Sequence, residues 1–184
     1  DDELEQVGDA TEAVTQKAGI EAHGSLGVLE EEQLRYLKSR GMVCFNHNLE
    51  TARSFFEEVV TTHSFGDRLD TARAVKRAGI RLCCGGILGL GESPAQRIEL
   101  AMTLRELDVD IVSLNFLHPI PGTPLQGQKS LPPLRILSII ALFRLMLPTR
   151  EIKITGGRER NLRDLQSMIF AAGADGIIIG NYLT

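Results

Sequence analysis

The stretch GDRLDTARAVKRAGIRLCC, residues 66–84, decides the fold. Leu69, Ala72, Val75 and Ala78 recur at helical spacing, which predicts a helix over 66–78 with one apolar face. Gly79 stops that helix, and the apolar run 80–84 reads as a strand. The same succession of helix, Gly and strand recurs at KAGIEA (17–22), SRGMVC (39–44) and AAGADGI (171–177). Working outward, helices are expected over 2–18, 30–40, 94–107, 133–147 and 161–172. Strands are expected over 20–26, 42–46, 110–117, 151–155 and 175–179. Ser93 and Pro94 suit the cap and first position of the helix at 94. The glycines from 85 to 91 read as a loop.

Six strands, each joined to the next by a helix, imply a parallel sheet with right-handed crossovers. The fold class is therefore α/β, either a (β/α) TIM-type barrel or a doubly wound sheet. Six units fall short of the eight of a closed barrel. No linker composition divides the chain, so residues 1–184 are expected to be one partial barrel domain, incomplete at its N-terminal side.

Composition narrows the function classes. The 184 residues carry 20 Lys+Arg against 24 Asp+Glu, a net charge of −4, which argues against sequence-independent nucleic-acid binding. No apolar run reaches the ~20 residues of a membrane helix. The opening Asp1-Asp2-Glu3 has the wrong charge for a signal peptide. Three cysteines, two of them adjacent, are no disulfide framework and suggest a reducing, cytoplasmic setting.

In (β/α) barrels the chemistry sits at the C-terminal ends of the strands. Those ends carry His23 and Ser25, then Asn46-His47-Asn48-Leu49-Glu50, then Cys83-Cys84-Gly85-Gly86, then Ser113 and Asn115, then Lys153 and Thr155 with Gly156-Gly157-Arg158-Glu159. A helix-coated parallel strand is ordinarily apolar throughout, so this convergence is a site signal. Singly, each residue has a structural reading: a hydrogen-bonded core histidine, a turn, a small apolar cysteine, a tight glycine turn. The glycine loop lacks the Gly-Lys-Ser/Thr of a phosphate-binding loop.

Asn46-His47-Asn48-Leu49-Glu50-Thr51, with Thr61-Thr62-His63 and Arg68-Leu69-Asp70-Thr71 after it, resembles the biotin synthase family of radical S-adenosylmethionine (SAM) enzymes. So do Cys83-Cys84-Gly85-Gly86-Ile87-Leu88-Gly89-Leu90-Gly91-Glu92, Asn115, Gly122-Thr123-Pro124-Leu125, Met146-Leu147-Pro148-Thr149 and Gly157-Arg158-Glu159, in the family's order. The resemblance spans nearly the whole chain. It implies a radical SAM (β/α) barrel and insertion of sulfur into dethiobiotin through a 5′-deoxyadenosyl radical. It also implies a [4Fe-4S] cluster and an auxiliary iron–sulfur cluster that donates the sulfur. An electron donor such as flavodoxin or ferredoxin and a homodimer follow from the same resemblance.

Position by position, the resemblance implies that Asn48 and Glu50 contact the SAM ribose and that Arg68 faces its carboxylate, a task suited to a guanidinium. Gly85, Ile87 and Gly89, with Glu92 closing the pattern, match the loop beside adenine. Asn46, Asn48 and Asn115 match amides for the ureido ring, whose two N–H groups and carbonyl an Asn can complement.

Two departures stand out. The family's Cys-x3-Cys-x2-Cys loop is absent from the three cysteines here, Cys44, Cys83 and Cys84, so the 184-residue piece is not expected to cleave SAM by itself. The family also holds its auxiliary cluster with three cysteines and an arginine. Cys83 matches one of them, His23 stands at another, Lys153 stands at the arginine, and Cys84 is a replacement thiolate in waiting. The resemblance then implies a variant auxiliary cluster, [2Fe-2S] or other, or no auxiliary cluster. Cys44 reads as a buried strand residue and not a ligand. The other readings are a radical SAM enzyme acting on a different small molecule, a noncatalytic remnant, and a phosphate-binding barrel resting on the Gly-Gly-Arg-Glu turn.

Overall fold

A computed structural model describes residues 2–179. Six β/α units follow one another in order. Helices α1 (Asp2–Ala13), α2 (Glu31–Ser39), α3 (Phe65–Arg77), α4 (Pro94–Glu106) and α5 (Pro133–Met146) alternate with strands β1 (Ala22–Gly24), β2 (Met42–Asn46), β3 (Arg81–Leu88), β4 (Ile111–Phe116) and β5 (Glu151–Ile154). Two short helices, α6 (Arg158–Leu162) and α7 (Met168–Ala171), precede β6 (Gly176–Ile177).

All neighbouring strands are parallel, and the sheet order is β1-β2-β3-β4-β5-β6. A doubly wound sheet would reverse its strand order part-way. The unbroken order removes that alternative and leaves a curled part of a (β/α) barrel.

Local chemistry explains the boundaries. Gly19 and Gly79 follow helical segments with φ of 64° and 71°, the left-handed conformation that glycine adopts without penalty. Capping boxes open α3 (Ser64 with Asp67) and α4 (Ser93 with Gln96). Two aspartates tether strand starts from the next unit. Asp110 accepts from the Leu82 N–H at 2.8 Å, and Asp175 from the Ile152 N–H at 2.7 Å.

The outward parity of the sheet is apolar. Phe45, Leu82, Cys84, Leu88, Val112, Leu114, Ile152 and Ile154 are buried and join Leu100, Leu104, Ile140 and Phe143 of the helices in one core. Helix packing on this face is what holds the curl.

Three expectations need correcting. The glycines at 85 and 86 are strand, not loop: β3 runs to Leu88. A Cβ on Gly85 would collide with the backbone carbonyl of Ser113, and one on Gly86 with that of Glu50, so these glycines let neighbouring backbones close. The helix expected over 161–172 is broken, with Arg163 at φ 51° between α6 and a 3-10 turn. A 3-10 segment at Arg53–Glu58 lies where no element was expected.

Candidate functional site

The inward parity of the same strands is polar. His23 of β1, Cys44 and Asn46 of β2, Cys83 of β3, Ser113 and Asn115 of β4 and Lys153 of β5 line one cavity of about 350 Å³, with Asn48 and Thr155 at the strand ends. A larger hollow of about 710 Å³ lies against α1, Leu26 and Leu29, away from these groups.

The chain after β2 stays on the sheet. The His47 N–H donates to the Cys83 carbonyl and the Leu49 N–H to the Gly85 carbonyl, both at 2.9 Å. The Ile87 N–H donates to the Glu50 carbonyl at 2.7 Å. Glu50 completes this stitch at φ 66°, a conformation non-glycine residues seldom adopt. Strand-like bonding therefore fixes where Asn48 and Glu50 point.

Arg68, in the first turns of α3, binds this segment together. Its Nη1 donates to the Asn48 carbonyl at 3.0 Å and pairs with Glu50 Oε1 at 3.1 Å, and its Nε donates to His63 Nε2 at 2.9 Å. Burial pushes the Glu50 carboxyl up, while the Arg68 and His63 fields pull it down. The structure thus brings Asn48, Glu50 and Arg68 into one cluster at the strand ends.

Gly85 and Ile87 share the inward parity of β3, while Gly89, at φ 94°, lies just past its end. Glu92 turns inward on its own loop. Its carboxylate accepts from the Gly89 N–H at 2.9 Å, the Gly91 N–H at 3.2 Å and Arg97 Nε at 2.7 Å, and both ionic partners are buried. Buried charge needs such full satisfaction. Glu92 is therefore a knot that shapes the loop.

The three asparagines differ. Asn115 is mostly spent on the protein: its Oδ1 accepts from Thr155 Oγ1 at 2.6 Å and the Gly156 N–H at 2.8 Å, and its Nδ2 donates to the Gly86 carbonyl at 3.3 Å. It clamps β3, β4 and β5 together. Asn48 Oδ1 accepts from Ser113 Oγ at 3.3 Å. Asn46 Oδ1 is buried and has no partner among the described residues.

Of the four expected metal ligands, His23, Cys83 and Lys153 line this cavity and Cys84 does not. Cys84 is a correction: its side chain has the outward parity and lies in the apolar core, because adjacent residues of a strand point to opposite faces. Lys153 pairs with Glu151 at 3.0 Å, and His23 faces Glu21 at 3.3 Å. Glu21, also paired with Arg81, is held below its usual range, first by the His23 hydrogen bond and then by Arg81. Cys83 stays inside, its thiol pushed up to about 12 by burial and then by the field of Cys44. Among the described residues, no three His, Cys, Asp or Glu side chains are placed to hold a metal ion.

Sequence reasoning missed two residues. Cys44, expected to be a plain strand residue, lines the cavity wall. Its parity with Asn46 was the available signal. His47 is buried, its Nε2 has no partner among the described residues, and burial, reinforced by Arg68, lowers its pKa to about 4. No sequence signal separated it from Asn46 and Asn48.

Comparisons with known proteins bear on this site. Residues 6–104 match the Radical SAM superfamily, and residues 113–184 match the Biotin and Thiamin Synthesis associated domain. The chain is 55% identical over 183 residues to the biotin synthase of Geobacter sulfurreducens, covering all of this chain and 56% of the relative. It is 50% identical over 182 residues to that of Syntrophus aciditrophicus, covering 99% of this chain and again 56% of the relative. The chain thus spans little more than half the length of these curated relatives.

Among solved structures, methylornithine synthase (PylB) superposes with a TM-score of 0.82 at 24% identity, over 94% of this chain and 51% of that one. The FeFe-hydrogenase maturase HydG from Carboxydothermus hydrogenoformans gives 0.81 at 19% identity, over 96% and 43%. These two likenesses concern the fold. Among the described residues, no helix is long and apolar enough to cross a membrane.

Proposed function

The chain belongs to the radical SAM superfamily, and we propose that it supplies the SAM-facing and substrate-facing part of a biotin synthase acting on dethiobiotin. One observation carries the substrate reading. Asn46 Oδ1 is a buried acceptor left without a partner on the wall of a cavity of about 350 Å³. A buried, unpaired acceptor costs free energy unless a ligand satisfies it. A neutral cyclic urea brings the N–H donor this position lacks. Asn115 has its carbonyl oxygen and one N–H committed within the protein, which keeps the cavity mouth in shape and leaves its second N–H for the ring.

The residues at the strand ends fit SAM. Asn48 and Glu50 present an amide and a carboxylate at one rim, suited to ribose hydroxyls. Arg68 spans both and its Nη2 makes no hydrogen bond among the described residues, leaving a donor for a carboxylate. Gly85 and Gly89 leave room beside Ile87 for a flat base. Bound SAM, with its iron–sulfur partner, would supply a radical able to take hydrogen from an unactivated carbon. The chain's own task is to orient substrate and keep water out of the barrel interior. The reading carries with it an electron donor of the flavodoxin or ferredoxin kind and a homodimeric enzyme.

An auxiliary cluster held by His23, Cys83, Cys84 and Lys153 does not fit these residues. Cys84 lies on the other face of the sheet, and Lys153 is engaged with Glu151. No sulfur-transfer step is routed through that set.

The test is dethiobiotin binding to the intact protein that carries this chain, by calorimetry, with and without Asn46→Ala. The expected loss is about tenfold in affinity, or ~1.4 kcal/mol, with SAM binding unchanged. Tight SAM binding without any dethiobiotin binding would point to a different small molecule. Equal dethiobiotin affinity in the variant would remove Asn46 from the site.

A further inference from the structure

We propose that His63 is a positioning residue for SAM: it holds the Arg68 guanidinium by Nε, so that Nη2 stays open to the SAM carboxylate. The inference rests on the reading of the strand ends as the SAM site and adds a residue to it.

Thr61-Thr62-His63 lies in the connection between the 3-10 segment Arg53–Glu58 and α3, directly before the Ser64 cap. The His63 ring is partly buried and is held on three sides. The Phe56 ring meets it edge-on, with centroids 5.8 Å apart. Thr62 Oγ1 lies 2.9 Å from its Nδ1, and Arg68 Nε donates to its Nε2 at 2.9 Å. An arginine has donors only, so Nε2 is the bare acceptor. The ring hydrogen therefore sits on Nδ1, where it donates to the Thr62 hydroxyl. One tautomer and one ring orientation satisfy all three neighbours.

That ring fixes the guanidinium in turn. Nε is taken by His63 and Nη1 by the Asn48 carbonyl and Glu50, and Nη2 makes no bond among the described residues. The edge formed by Nε and Nη2 is a fork that suits a carboxylate. Glu50 already stands 3.1 Å from Nη1, and both side chains are largely buried. With Nε free, the guanidinium could turn that fork onto Glu50 and close the two groups against each other. The SAM carboxylate would then lose its donor and the ribose its acceptor. His63 blocks this by occupying Nε. It does so as a neutral acceptor, so no second negative charge joins Glu50 and the cation's field is kept for the ligand.

The test is calorimetric binding of two ligands to the intact protein that carries this chain: SAM and decarboxylated SAM, which differ in the carboxylate alone. His63→Leu is expected to weaken SAM by about tenfold and to leave decarboxylated SAM unchanged. His63→Gln, which returns an acceptor, is expected to recover most of the loss. In an Arg68→Lys background, which has no guanidinium to orient, His63→Leu should have no further effect on SAM. An equal loss for both ligands would show a merely structural role, and it overturns the proposal. Should the variants fail to fold, nitrogen NMR of the wild-type imidazole decides. A hydrogen on Nδ1 is expected, and a hydrogen on Nε2 sinks the arrangement. Wild-type protein that binds neither ligand defeats the SAM reading and this inference with it. SAM binding that His63→Leu leaves intact defeats the inference alone.

Discussion

Cys83 and Cys84 are joined by one peptide bond and live in different solvents. Cys84 is fully buried in the apolar core shared by the sheet and the helices. Cys83 faces a polar cavity with Asn46, Ser113 and Lys153. The divide runs through the whole sheet: Phe45, Val112 and Ile152 on one side, and Cys44, Ser113 and Lys153 on the other. The outer face is where burial of apolar area stabilises the fold. The inner face contributes little packing and keeps groups poised for something else to meet them. Residue type alone does not report which role a position has. Strand parity does.

That contrast can be attacked from its strongest side first. Phe143→Ala empties a fully buried site on the outer face and is expected to cost about 3–5 kcal/mol. Chemical denaturation of the intact protein measures it, and a loss under ~1 kcal/mol would break the assignment of stability to that face. Next comes the cysteine pair. Cys84→Ser places an unpaired hydroxyl in apolar surroundings, for up to about 3 kcal/mol. Cys83→Ser, on the polar wall, is expected to stay within ~0.5 kcal/mol. Equal effects in the same melts would erase the distinction between the faces.

His47 sharpens the comparison because it is the polar intruder on the outward parity, between Phe45 and Leu49. Its pKa falls from 6.5 to about 4 in the folded protein, chiefly through burial and then through the Arg68 and His63 fields. A depressed histidine pKa means that the unfolded chain takes up the proton first as pH falls. The stabilisation from neutral His47 is whole above about pH 6.5 and is lost on the way down to pH 4. About 2 kcal/mol should go between pH 7.5 and 5. His47→Gln should flatten that part of the pH–stability curve, and an unaltered slope would show that His47 carries none of it. The smallest effect belongs to the inner face: Ser113→Ala gives up one long hydrogen bond to Asn48, for about 0.5 kcal/mol. A loss above ~2 kcal/mol there would mean that the cavity wall, too, is structural.

Much of this was legible in the chain. Glycine after four of the helical runs (Gly19, Gly41, Gly79 and Gly173) marks where they end, so the repeated units and their order follow from the sequence. The site segment 46–50 was legible as a cluster of polar groups at a strand end. Faces were harder, because a shift of one residue in a strand turns every side chain over. Cys84 was misplaced in that way, while Cys44 is the buried strand residue it was read to be. Gly85 and Gly86 read as loop because glycine is a weak strand former, whereas the close approach of the Ser113 and Glu50 carbonyls is what requires them. The commitment of Asn115 to Thr155 and Gly156, forty residues on, and of Glu92 to its own loop, depends on pairings that only the folded sheet brings about.

The strand order β1 to β6 is also the order in which a ribosome makes them. Each new β/α unit meets a partner that already exists, and none has to wait for a strand still unmade. Each strand pairs with one about 20 to 40 residues away, as Ala22 with Met42 and Ile111 with Glu151, so the sheet can grow unit by unit during synthesis. The same order means that the nascent sheet always presents its newest strand as a bare edge. Protecting that moving edge, rather than finding the right topology, is the kinetic problem this sequence sets for the cell that translates it.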